Sequence, residues 1–254
     1  MSVIFPLLWR EFKLSSTKML LVAYILSPTV SLGIFGVAFA LNIQSVEYSG
    51  IRVNYLLFLI PGIIAAGTYN FFGRAFATTR LDNATNFLTI LAVSNVSTLT
   101  YVMAKIVSYF TILTLQSFYL FFLCYIMTGY TVSFFKIVAI LVLILLGVSF
   151  WSTIGIILGV RIRDELTRDL IFTVTGITVI VASSVYYPLD NGPTWLKFVA
   201  GVNPLSYIAD CIRDIFLDIT PRLEDVAGSM AILAVTVLLL TYLTKRGYLP
   251  RYYW

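Results

Sequence analysis

The chain has 254 residues, 59% of them hydrophobic and only 11% charged, less than half the charge of an average soluble domain. That balance excludes a water-soluble enzyme, and the same apolar content excludes a disordered chain. Histidine is absent and the cysteines number two, Cys124 and Cys211. Histidine-centred zinc sites, Ser-His-Asp triads and disulfide frameworks are therefore excluded. The net charge of +5 is dispersed, as in charges that orient a membrane protein, and it points to the bilayer and not to nucleic acid.

The chain opens with a helix expected over about 4–16. Phe5, Leu8, Trp9 and Phe12 fall on one stripe, and Arg10, Glu11 and Lys13 fall around it, a pattern that suits a helix lying in the membrane interface. Uncharged runs then predict six spans, over about 19–42, 53–73, 104–128, 137–160, 170–188 and 226–244, each long enough to cross a hydrocarbon core. The expected fold is thus an all-α integral membrane protein, one transmembrane domain over 1–254. The first run is too long for the core of a signal peptide and reads as a retained span.

Between spans two and three, a polar uncharged helix is expected over about 80–92. Pro61-Gly62 falls inside span two, where it reads either as a packing kink or as a hinge. The same span carries Tyr69, Asn70 and Phe72, a hydroxyl- and aromatic-rich lining suited to an amphiphilic substrate path. Gly155-x-x-x-Gly159 permits close helix approach. Before the last span lies a long segment broken by Pro188, Pro193, Pro204 and Pro221, where short helices at or dipping into the outer leaflet are expected. The charges after Pro204, including Arg213, are read there as a solvated face.

Twelve of the 17 basic residues fall on the side that holds both termini and the loops after spans two and four. By the positive-inside rule both termini are cytoplasmic, in the plasma membrane of a cell. A Gly-rich phosphate loop is missing, and the six runs hold no ionisable residue except at their margins. The chain therefore has neither its own ATP site nor the buried charges of a proton-coupled carrier.

This order of elements, with four local stretches, resembles the six-span permeases of type-2 ABC exporters. Leu8-Trp9-Arg10-Glu11-Phe12 resembles the start of their interfacial connecting helix, and Tyr55 to Pro61-Gly62 their entry into span two. Arg80 to Ser94 resembles their coupling helix, and Asn203-Pro204-Leu205-Ser206-Tyr207 with Arg213 resembles their Asn-Pro-Leu-x-Tyr…Arg stretch. The resemblance implies a separate cytoplasmic ABC ATPase in two copies, carrying ATP and magnesium, while this chain binds no cofactor or metal. It also implies a second permease copy, as a homodimer, and export of a drug, lipid or lipid-linked saccharide. Arg80, Asp82, Asn83, Asn86 and Thr89 become the ATPase-facing set. Pro61, Gly62, Asn203, Pro204, Tyr207 and Arg213 become the gating or outer-loop set. A partner-free channel or secondary carrier is the competing function.

Overall fold

The computed structural model describes residues 4–15, 17–37, 44–162, 164–189 and 192–246. Helix α1 spans Ile4–Ser15, and α2 spans Lys18–Ser31 and widens into a π-helical turn over Leu32–Val37. A hairpin follows, β1 Ser45–Tyr48 and β2 Ile51–Asn54. Then come α3 Tyr55–Ala84, α4 Phe87–Val93, α5 Thr98–Thr128 and α6 Phe134–Arg161. The last four are α7 Glu165–Val181, α8 Thr194–Val202, α9 Pro204–Leu217 and α10 Leu223–Arg246.

Side-chain caps set several helix starts. Asn54 accepts from Leu56 N at 2.9 Å, and Ser97 from Thr100 N at 3.1 Å. Asp164 accepts from both the hydroxyl and the backbone N–H of Thr167, which hold its carboxylate below the usual range. Each cap satisfies an N–H that the helix itself leaves unpaired.

Helix α3 is the axis of the molecule. Its segment from Phe58 to Ala66 is buried on every side, as expected of a helix surrounded by others. Helix α6 lies against it most closely. A Cβ on Gly155 would sit 2.4 Å from the Phe72 carbonyl oxygen, and one on Gly159 would sit 2.8 Å from that of Phe76. The small-residue pair thus lets two backbones meet where lipid offers no hydrophobic driving force.

Four helices among the described residues are long and apolar enough to cross a membrane: α3, α5, α6 and α10 over Leu223–Lys245. The apolar part of α2, Val22–Gly36, is shorter, and the expected continuation of the first span to 42 lies partly outside the described residues. Helix α7 ends at Val181 instead of at 188. Ser183 Oγ donates to Ile180 O and accepts from Val185 N, turning the chain away from helical pairing. Among the described residues, length and composition thus single out four of the six expected spans.

Three further differences from the sequence reading matter. The hairpin was not expected. Its turn residues Ser49 and Gly50 both have positive φ, 52° and 77°, the geometry of the tight turns that match strand twist. The helix expected over 80–92 is divided, because α3 runs on to Ala84 and the chain reverses through Asn86, at φ 58°, before α4. Helix α3 does not end near 73. With 30 residues it is about 45 Å long against a hydrocarbon core of about 30 Å, so one end stands clear of the membrane.

Candidate functional site

Two polar clusters lie at opposite ends of α3. The first gathers α1, α3, α4 and α5. Lys105, wholly buried on α5, places Nζ 3.1 Å from Glu11 Oε2, 3.2 Å from Asp82 Oδ2 and 2.9 Å from Thr78 Oγ1. Tyr101 Oη donates to Asp82 Oδ2 at 2.7 Å, and Arg10 closes the cluster onto Asp82 Oδ1. Arg10 also pairs with Glu11 at 2.7 Å and stacks 3.8 Å over the ring of Phe87, the first residue of α4. Two cations thus face two carboxylates, and every one of them has hydrogen bonds. That is the condition under which a buried ion pair is tolerated.

Asp82, one of the expected ATPase-facing set, is 2% exposed and faces this cluster. The other members of that set separate. Arg80 pairs with Glu165 at the start of α7, and Asn83 Nδ2 donates to the Val160 carbonyl oxygen at 3.2 Å. Both hold the α6–α7 connection. Asn86 and Thr89 are exposed, together with the apolar side chains of Leu81, Ile90 and Val93. On α1, Leu7, Glu11 and Ser15 are buried, while Phe5, Trp9 and Phe12 face outward. Sequence reasoning assigned Lys105 and Arg10 only to orientation. The signal available was a lysine between Tyr101 and Tyr109 on a long apolar helix that carries no carboxylate of its own to pair with it.

The second cluster sits at the other end. Arg213 has no exposed surface, which corrects the reading of a solvated face. Its Nε donates to Phe58 O at 3.1 Å and its Nη2 to Ser184 O at 2.8 Å and Val185 O at 3.4 Å, while Nη1 pairs with Asp210. The guanidinium lies 3.8 Å over the Phe58 ring. Such a planar fork can satisfy several carbonyls at once where water is excluded. The hairpin brings Tyr48 in, whose Oη donates to Asp214 Oδ1 at 2.8 Å. Burial, with Asp210 and Asp214 nearby, pushes that hydroxyl well above its usual range and keeps it a donor.

The remaining expected residues have defined places. Asn203 caps α9 by accepting from Leu205 N at 3.0 Å and donates Nδ2 to Val179 O at 2.6 Å, with Pro204 at the first helical position. Tyr207 Oη donates to Gly201 O, and its ring covers Gly228. Helix α3 is unbroken at Pro61. A Cβ on Gly62 would meet Val185 O at 2.2 Å, so the dipeptide is a contact point for the segment that Arg213 holds. Tyr69 and Phe72 are buried against Trp151 and against Phe172, which is itself exposed. Tyr69 Oη lies 2.7 Å from Thr175 Oγ1, and Asn70 is exposed. Tyr69, Phe72 and Trp151 form a packed aromatic cluster, with Asn70 and Phe172 exposed beside it.

A bundle of long apolar helices, with an amphipathic helix tied to a short turn at one end and a short buried helix at the other, invites comparison with known proteins. Residues 3–217 match the family described as ABC-2 type transporter. The chain belongs to that family. It is also 23% identical over 218 residues, 84% of this chain and 73% of the other, to a protein of Cyanophora paradoxa named "Putative transport permease ycf38". An ABC-2 type chain with several apolar spans is a multi-pass membrane transport subunit.

Proposed function

We propose that this ABC-2 type chain is the membrane subunit of an ATP-driven exporter. It would move an amphiphilic substrate out of the cytoplasm with energy from a separate ABC ATPase, which carries ATP and magnesium. ABC-2 family members work with ABC ATPase partners. The observation that carries the coupling is the junction of α3 and α4. It stands beyond the hydrocarbon length of α3 and exposes Leu81, Asn86, Thr89, Ile90 and Val93, while Arg10, through Phe87 and Asp82, ties it to α1. A push on α4 is thereby delivered to α1, α3 and α5 together. The basic residues grouped at this end favour its cytoplasmic placement at a plasma membrane.

Helix α7 supports a pair of such subunits. Among its described residues none is buried, and Leu170, Phe172, Val174 and Ile177 are exposed on it. A second copy of the chain covers this helix in the proposed homodimer, and the substrate path lies between the copies beside Asn70 and the Tyr69–Phe72 cluster.

The test uses Thr89→Arg with Ile90→Arg, both on the exposed junction and outside the buried ion cluster. The tagged double variant should insert and keep its thermal stability, yet lose the co-purifying ATPase and all nucleotide-dependent transport. Recovery of an ATPase-free chain from both wild type and variant, with transport intact, would instead establish a partner-free channel or carrier.

A further inference from the structure

Three aspartates of the second cluster, Asp210, Asp214 and Asp225, are held differently. Asp210 is paired with Arg213, and Asp214 Oδ1 accepts from Tyr48. Asp225, in the first turn of α10 and 7% exposed, has an Oδ2 that accepts no hydrogen bond. Arg222 directs Nε and Nη2 to Ser49 Oγ, at 3.2 and 3.1 Å. Next to Asp225 is a cavity of about 280 Å³, lined by Ser206, Tyr207, Asp210 and Asp225 with Ala200 and Gly201. Ser206, 4% exposed, also has an Oγ without a hydrogen-bond partner, and it belongs to this same wall. Lys197, Arg222 and Glu224 reach the cavity from exposed positions.

Two lining residues with an unmet polar atom are costly, since a buried acceptor without a donor has lost its hydration and gained no partner, and a charged one loses more. What they need is a cation that donates. A metal ion fits poorly, because Ca²⁺ takes at least about six oxygen ligands and the described residues contain no group of three or more acidic, histidine or cysteine side chains able to hold one. An ammonium needs less: one carboxylate, one neutral oxygen and an aromatic ring at the side. Asp225, Ser206 and Tyr207 supply these, and Ala200 and Gly201 offer a non-polar flank for the adjoining carbons.

We propose that this cavity between α8, α9 and α10 binds the ammonium group of an amphiphilic cation, with Asp225 as its counter-ion and Ser206 as a neutral acceptor. Binding needs no ATP and no ATPase, so the proposal stands or falls apart from the exporter reading.

The experiment is isothermal titration of the full chain in neutral maltoside detergent with hexylammonium, and with hexanol as the uncharged probe of equal tail. Wild type should bind hexylammonium at least about tenfold more tightly than hexanol. Asp225→Asn should lose that preference, and Asp225→Glu should retain it. Should Asp225→Asn fail to fold, Ser206→Ala serves in its place. It should keep the wild-type melting temperature and weaken hexylammonium about three- to tenfold. Equal binding of the two probes by wild type would overturn the proposal, as would unchanged affinity in a folded Asp225→Asn or Ser206→Ala. Repeating the titration in nanodiscs separates two sources of the ammonium. Competition by phosphatidylethanolamine but not phosphatidylcholine assigns the site to a lipid amine, and equal affinity in both assigns it to a soluble amphiphile. Either result requires the ammonium recognition proposed.

Discussion

Lys105 reaches Glu11 at 3.1 Å from the opposite end of a long stretch of sequence, and in doing so it locks the helix that precedes the first span to the start of α5. The same ammonium lies 3.2 Å from Asp82, so one lysine joins α1, α3 and α5. All three charges are buried, which makes the contact sensitive to the removal of any one of them.

Lys105→Met should therefore destabilise the chain by about 3–5 kcal/mol, because two buried carboxylates lose their common cation. Chemical unfolding in detergent measures the loss. The triple variant Glu11→Gln, Asp82→Asn, Lys105→Met should be less destabilised than the sum of its parts, since the one charge it leaves without a carboxylate, Arg10, is partly exposed to solvent. An additive result would mean that the three groups are solvated independently.

Arg213→Lys should fail to replace arginine. A lysine ammonium is a compact donor without the planar fork, and it cannot serve Phe58 O, Ser184 O and Asp210 together. We expect transport to fall to background in a reconstituted assay, with the 182–189 segment becoming accessible to protease. Wild-type protection in Arg213→Lys would show that the carbonyl contacts are dispensable.

Gly155→Leu should separate α6 from α3, since even a Cβ would meet the Phe72 carbonyl oxygen at 2.4 Å. The expected cost is at least about 1–3 kcal/mol from overpacking, read as a lower melting temperature. Gly129→Leu is the control in one respect: no atom lies within 4 Å of its Cβ position. Its positive φ of 71° at the end of α5 should still cost about 1 kcal/mol.

Phe87→Ala should weaken the link between α1 and α4, where Arg10 stacks on the ring. The loss of that cation–π contact is worth about 0.5–2 kcal/mol. We expect the chain to bind the ATPase as before but to transport less substrate per ATP hydrolysed. A proportionate loss of both activities would place Phe87 in the ATPase contact itself.

Much of this protein was legible in its residues. Missing charge, long apolar runs and segregated basic residues dictate a helical membrane protein whatever the packing, because a backbone in lipid must satisfy its own hydrogen bonds. The spacing of Gly155 and Gly159 announced a close helix contact, and Asn203-Pro204 announced a helix start; both are local properties. What the tertiary structure decided are the long-range polar contacts. Asp82 and Arg213 read as exposed because charges usually are, and only the fold brings Lys105 to the one and the carbonyls of Ser184 and Val185 to the other. The hairpin that delivers Tyr48 and the extension of α3 past Arg80 follow from the same cause. Partners distant in the chain, and not the local pattern, determine where a buried polar group in a membrane protein can be afforded its hydrogen bonds.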